Sequence, residues 1–296
     1  MSKKINIGFF GDGIWATNSV KELLKIKSIK LKFICPRYKK PDKNLVRLAS
    51  NKNINLINLK NVNHKISIKL IKSLKIDLII SMSYDQIFKK KIISLFKKKI
   101  INCHAGYLPF YRGRSPLNWA LINDEKFFGI TAHYINSKID EGDIIFQKKF
   151  LISDQDNYSS ILNKAYKNCP KVLGKAIRLI LNKEIKPIKQ NSVDKKGSYY
   201  RKRIPGDEII DWSKNSREIF CFIRALSRPS VMATTFSKRR KITINKADIV
   251  RVKMKNNHIP GTIIKMTKNF FIVKTINSAL KVKEWSGTVR KGTVLK

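Results

Sequence analysis

The chain has 296 residues, 43% of them apolar, enough for a large domain plus a smaller one, each with a core. No apolar run reaches the roughly 18 residues of a membrane span and the N-terminus lacks a secretory leader pattern, so a cytoplasmic protein without a membrane partner is expected. The 63 Lys and Arg against 20 Asp and Glu give a net charge of +43, but the basic residues are sprinkled through every element; with abundant Ile and Asn, this reads as compositional bias plus a general attraction for anions, and no nucleic-acid partner is expected.

In chain order, Lys4–Phe10 is a strand-like apolar run ending at Gly11-Asp12-Gly13, and Ile14–Lys27 carries apolar residues at helical spacing. The glycines at 8, 11 and 13 do not form G-x-G-x-x-G, so a tight turn is expected there rather than a dinucleotide site. The alternation continues with strand Leu31–Cys35, helix Asp42–Asn51 with Asp42 as N-cap, strand Ile54–Leu59 and helix Asn63–Lys75. Strand Ile76–Met82, helix Asp85–Phe96 and strand Lys99–His104 follow. Such alternation predicts an α/β fold, a doubly wound, mostly parallel sheet whose ligands bind beyond the carboxyl ends of its strands. Ser115-Pro116 has the chemistry of a helix start, with Ser115 as N-cap. Gly129–Ile135 and Asp143–Phe150 read as strands joined by a turn at Asp140. Tyr158–Leu181 reads as an amphipathic helix that Pro170 should kink or split.

Residues 182–205 look like a connection. Beyond it come a helix around Ser216–Ala225 and short strands at Lys241–Asn245, Ile249–Lys253, Thr262–Met266, Phe270–Thr275 and Ala279–Val282. The expected division is a catalytic domain over 1–200 and a smaller, β-rich domain over 201–296. Cys35, Cys103, Cys169 and Cys221 form no C-x-x-C and read as buried thiols; the histidines are too scattered for a metal signature, and no metal is expected.

Chemistry concentrates between Ile101 and Asp143. In an extended segment residues two apart share a side, so Asn102 and His104 can face one space. A turn-rich loop with Arg112 and Arg114 follows, and Asp140 arrives in a second glycine-containing turn. An amide donor, an imidazole and a carboxylate are the parts of an acyl-transfer site. The amide can stabilise a developing oxyanion without titrating, the imidazole can donate or move a proton, and the carboxylate can orient the imidazole. Each also has an ordinary reading: His104 as a core histidine, Asp140 as a turn residue, Arg112 and Arg114 as a solvated loop rather than a phosphate clamp.

Asn102-Cys103-His104 with Leu108-Pro109, Tyr111-Arg112-Gly113 and Asp140-Glu141-Gly142-Asp143 resembles the formyltransferases that use 10-formyltetrahydrofolate, which include methionyl-tRNA and sugar N-formyltransferases. Asp211-Trp212, Ile223-Arg224-Ala225, Pro229 and Pro260-Gly261-Thr262 resemble the C-terminal half of that family. The resemblance implies a Rossmann-like core, Asn102, His104 and Asp140 as catalytic residues, and folate contacts at Met82, Ser83, Tyr84, Ile135 and Asp143. It also implies a 10-formyltetrahydrofolate co-substrate, a homodimer, and a nucleotide-sugar partner contacted by Tyr107, Arg112 and Arg114. Gly8–Gly13 and His104–Arg114 are most similar to enzymes that formylate dTDP-linked 4-amino-4,6-dideoxy sugars for surface polysaccharide such as O-antigen. The tRNA enzymes usually read His-Pro-Ser-Leu-Leu-Pro where this chain has His104–Pro109. Tyr107 departs from the Lys expected in the sugar subgroup, and Ser115-Pro116 is nearer the pattern of UDP-aminoarabinose formyltransferases, so nucleotide and sugar stay open. Methionyl-tRNA formylation is the alternative.

Overall fold

The computed structural model describes residues 4–252 and 259–296. Its first elements are β1 (Ile5–Gly11), α1 (Gly13–Leu23), β2 (Ile29–Cys35), α2 (Lys43–Asn51), β3 (Asn55–Leu56), α3 (Lys65–Ser73), β4 (Leu78–Met82), α4 (Lys90–Leu95) and β5 (Ile100–His104). Next come β6 (Arg112–Gly113), α5 (Pro116–Ile122), β7 (Phe127–Tyr134), β8 (Ile144–Leu151), α6 (Tyr158–Leu181), α7 (Gln190–Val193) and β9 (Tyr199–Tyr200). The chain closes with α8 (Ser216–Leu226), β10 (Ala233–Ser237), β11 (Arg240–Val250), β12 (Ile263–Met266), β13 (Phe271–Lys274) and β14 (Ala279–Ser286).

The large sheet has the order β3-β2-β1-β4-β5-β7-β8. Strands β1 to β5 run parallel, and β7 is antiparallel to β5. Ile7, Phe9, Phe10, Ile79 and Ile80 are fully buried, as near-continuous apolar runs must be when both faces of a parallel sheet are covered. The α/β, mostly parallel architecture is therefore the one the alternating pattern implies. Asp42 caps α2 as expected, accepting from the Leu45 N–H at 2.8 Å.

Several local expectations give way to the structure. Ser115 makes no side-chain cap; it sits in the left-handed region at φ 56°, and α5 begins directly at Pro116. Pro170 does not split α6, which is continuous from Tyr158 to Leu181. Proline leaves the carbonyl one turn back without its helical donor, and here the Asn18 side-chain amide approaches that carbonyl, Tyr166 O, at 3.5 Å. The strand expected over Ile54–Leu59 shrinks to Asn55–Leu56, and the helix over Asp85–Phe96 to Lys90–Leu95. Lys241–Asn245 and Ile249–Val250 merge into β11; Lys253, the expected end of the second run, lies outside the described residues.

The chain divides into two compact units, 1–113, 129–150 and 164–199 in the first, and 114–128, 151–163 and 200–296 in the second. A linear division near residue 200 would place 114–128 and 151–163 in the first half. Ion pairs tie them to α8 within the second unit: Arg217 grips Asp124 at 2.6 and 2.8 Å and Asp154 at 2.6 Å, while Arg224 reaches Asp124 at 3.1 Å. The second unit also holds an antiparallel sheet of order β10-β11-β14-β13-β12. Ile219 and Ile223 of α8 share its core with Phe271 and Leu280. Helix α8 starts in a capping box between Asn215 and Glu218, which satisfies donors that a helix start otherwise leaves open.

Candidate active site

The site lies in the first unit, where β5 and β7 meet. Their antiparallel register sets Asn102 opposite His133 and His104 opposite Thr131. Side chains alternate along each strand, so these residues share one face. The next parallel neighbour of Asn102 is Ser81 on β4. Asn102 and His104 are thus brought together as their spacing implies, and the antiparallel strand adds His133 to them.

Asp140 reaches the same place from the β7–β8 connection. Its backbone is left-handed, φ 54°, as short polar side chains in turns tolerate. Its Oδ2 accepts from the Gly113 N–H at 2.9 Å and lies 3.6 Å from His104 Nδ1. Its Oδ1 lies 3.4 Å from Asn102 Nδ2 and 3.5 Å from His133 Nε2. Burial alone would raise the Asp140 carboxyl; the nearby His104 and His133 imidazoles and the Gly113 N–H outweigh it and hold the group well below the ordinary carboxylate range.

His104 Nε2 is 2.6 Å from the Tyr111 carbonyl oxygen, which can only accept, so Nε2 carries a proton and donates it. The nitrogen facing Asp140 is then Nδ1, the one left to gain or lose a proton. Gly106 permits this fold of the loop: a Cβ there would come within 2.6 Å of His104 Nε2 and 2.7 Å of Tyr111 O. Thr131 supports the same loop, donating to Gly106 O at 2.7 Å and accepting from the Leu108 N–H at 3.2 Å.

Arg112 is buried, and its guanidinium faces inward. Nε donates to Gln190 Oε1 at 3.0 Å, and Nη1 reaches Lys196 O at 3.4 Å. Two of its three nitrogens thus meet the protein's own acceptors rather than open solvent. Gln190, also buried, completes a clasp by donating to Asp140 O at 2.7 Å and Gly142 O at 2.8 Å. Gly142 must be glycine, since a Cβ would overlap the Tyr134 carbonyl. Arg114 is exposed, falls in the second unit, and donates its backbone N–H to Tyr200 O at 2.9 Å. Tyr107 is half-buried, with the Lys149 ammonium 4.7 Å from its ring centre.

The residues expected to meet folate divide. Met82 is 2% exposed at the end of β4, so its side chain belongs to the core and its backbone is the part that could meet a ligand. Ser83 is exposed and left-handed, φ 55°. Tyr84 stacks on Phe88 at 6.0 Å and meets Phe10 edge-on at 5.4 Å. Burial raises its phenol above the ordinary range, with the neighbouring Cys35 adding to the effect. Ile135 is half-buried against the same apolar cluster as Tyr84, giving the two a common wall. Asp143 accepts at its carbonyl from the Tyr134 N–H and pairs with Lys98 at 3.8 Å. Cys103 is buried, on the strand face opposite its neighbours, with its thiol turned to Cys169 O at 3.6 Å.

A family model described as formyl transferase matches residues 25–177, and one described as formyl transferase, C-terminal domain, matches 203–291. The chain is 37% identical over 163 residues to the bifunctional polymyxin resistance protein ArnA of Wigglesworthia glossinidia brevipalpis, covering 55% of this chain and 24% of that protein. It is 35% identical over 194 residues to a methionyl-tRNA formyltransferase of Alkaliphilus oremlandii, covering 64% of this chain and 61% of the other. The chain thus spans less than two thirds of the length of these curated relatives. Among solved structures, the sugar 3N-formyl transferase WlaRD has a TM-score of 0.73 at 24% identity, covering 97% of this chain and 100% of that one, which shows the shared fold. A 4-N formyltransferase from Francisella tularensis has a TM-score of 0.63 at 26% identity, covering 79% of this chain and 93% of that one.

Proposed function

The chain belongs to the formyl transferase family, and we propose that it transfers a formyl group from 10-formyltetrahydrofolate to the 4-amino group of a dTDP-linked 4-amino-4,6-dideoxy sugar. The observation that carries the chemistry is the meeting of Asn102, His104 and Asp140 around one space, with Asp140 held as a carboxylate by titratable partners. The attacking amine must be neutral, and it loses a proton as its nitrogen bonds to the formyl carbon. In this reading the Asn102 amide and, once protonated, His104 Nδ1 donate to the formyl oxygen as negative charge gathers there, while His104 Nε2 stays on Tyr111 O. Asp140 orients His104 and, through it or directly, takes up the amine proton. The leaving nitrogen of the donor is protonated as the C–N bond to folate breaks, so the proton count closes within the site.

The sugar reading rests on the His104–Arg114 loop, which resembles the amino-sugar subgroup, and on the likeness to the Francisella 4-N formyltransferase. Folate contacts are assigned to Ser83, Tyr84 and Ile135 through side chain or backbone, to Met82 through its backbone, and to Asp143. Tyr107 and Arg114 are assigned to the nucleotide sugar, with Arg112 shaping their loop. By the same resemblance the product is a formamido sugar for surface polysaccharide, made in the cytoplasm by a homodimer. The identity to a methionyl-tRNA formyltransferase supports the alternative amine, methionyl-tRNA. A steady-state panel decides between them: dTDP-4-amino, dTDP-3-amino and UDP-4-aminoarabinose sugars and methionyl-tRNA, each with 10-formyltetrahydrofolate. The highest specificity constant is expected for a dTDP-4-amino sugar; turnover of methionyl-tRNA alone would refute the sugar reading.

A further inference from the structure

His133 lies outside the proposed Asn102, His104 and Asp140 trio, yet it touches two of its members. It is 1% exposed, on β7, directly opposite Asn102 in the strand register. Its Nδ1 is 2.8 Å from the Tyr134 carbonyl oxygen. A carbonyl accepts only, so Nδ1 carries a proton; when the ring is neutral Nε2 is left as an acceptor, with Asp140 Oδ1 3.5 Å away. Asn102 Nδ2 stands 3.2 Å from that acceptor. The opposite amide orientation would aim the Asn102 carbonyl at the lone pair of His133 and at the Asp140 carboxylate, two repulsive contacts in a buried place.

From this geometry we infer that His133 is a positioning residue that fixes the Asn102 side-chain amide, nitrogen inward, for formyl transfer. The amide carries two protons on Nδ2. One is engaged by His133. The other meets Asp140 Oδ1 only at 3.4 Å, too long for a strong bond, and is the proton available to the formyl oxygen. His133 therefore acts through Asn102 and by the Tyr134 carbonyl that sets its tautomer. It needs no contact with substrate. The inference rests on the proposed role of Asn102 in formyl transfer, not on which amine is formylated.

A double-mutant cycle tests it, run with the amine that the wild-type protein turns over best. His133→Leu removes the acceptor and should lower kcat about tenfold or more with KM within about threefold of wild type. In an Asn102→Ala background the same change should cost much less than in the wild type, because no amide remains to be positioned and only the contact of His133 with Asp140 is lost. His133→Gln, which restores an acceptor oxygen, should recover part of the loss. Side-chain amide NMR of protein labelled at asparagine gives a readout that needs no turnover. The Asn102 pair should shift strongly in His133→Leu and less in His133→Gln. Losses in kcat that multiply in the double variant, or an Asn102 amide signal unmoved in both variants, would overturn the inference. If methionyl-tRNA proves to be the amine turned over, the sugar reading fails while the cycle still judges His133.

Discussion

Two carboxylates, one in each unit, are held well below the ordinary range, and they differ in what holds them. Asp140 faces His104 and His133, imidazoles whose ring nitrogens can take up or release a proton. Asp124 faces Arg217 and Arg224, which stay charged at any pH a protein survives. The first arrangement can exchange protons and suits chemistry; the second can only hold segments together. A depressed carboxylate pKa alone therefore does not mark a reacting site. The protonation chemistry of its partners does.

The sharpest way to break this comparison is at its first member. Asp140→Asn and His104→Ala should each lower kcat by about 100- to 10,000-fold with modest changes in KM, as loss of acid–base and charge-stabilising groups does. Steady-state kinetics checks this, and near-wild-type turnover in either variant would remove the site from the region where it is placed. A smaller effect is expected one step back. Gln190→Leu takes away the donor to Asp140 O and Gly142 O and the acceptor for Arg112. Leaving buried groups unpaired costs about 1–3 kcal/mol, so Tm should fall and kcat should drop roughly tenfold as Asp140 loosens. Thermal melts and kinetics on one preparation would show both.

A weaker effect concerns the whole basic surface. With a net charge of +43 the specificity constant for a diphosphate-bearing substrate should fall by roughly threefold or more as salt rises from low to physiological strength. A flat salt profile would mean that the charge does not steer this substrate. The smallest effect on turnover is expected at Asp124. Asp124→Asn should leave kcat within about twofold, since its partners Arg217, Arg224 and Cys221 lie outside the catalytic trio, and lower Tm by a few degrees. The Arg217 hydrogen bond first, against burial and with Cys221 assisting, draws this carboxyl down to about 2. Because the folded value is depressed from an ordinary ~3.9, its stabilisation is complete above about pH 4 and is lost as pH falls through about 2. The variant should accordingly lose less Tm than wild type between pH 5 and pH 2.5 in calorimetry.

The placing of Asn102 and His104 on one strand face was legible because a two-residue spacing is a local fact, and the turn at Asp140 because its polar, glycine-containing sequence is turn chemistry. The alternation of apolar runs likewise dictates the parallel sheet. His133 was not legible: its partnership with Asn102 exists only once β7 runs antiparallel to β5 in one particular register. Gln190 is farther still in sequence, and nothing around Lys189-Gln190-Asn191 signals that its amide closes on the Asp140 turn. The burial of Arg112 was not legible either, because a loop arginine beside glycine reads as solvated or ligand-facing, whereas its bond to Gln190 depends on tertiary placement. Pro170 misled for a similar reason, since the amide that approaches the freed carbonyl comes from Asn18 on a different helix.

The most direct measurement is the product itself. The protein is incubated with 10-formyltetrahydrofolate and an equimolar mixture of dTDP-4-amino-4,6-dideoxy sugar, its 3-amino isomer, UDP-4-aminoarabinose and methionyl-tRNA. Mass spectrometry and NMR then locate the formyl group. A single formyl group on the 4-amino nitrogen of the dTDP sugar, absent with Asp140→Asn, is the predicted result. Formyl-methionyl-tRNA with every sugar unchanged, or formylated sugar in equal yield from Asp140→Asn, would contradict it.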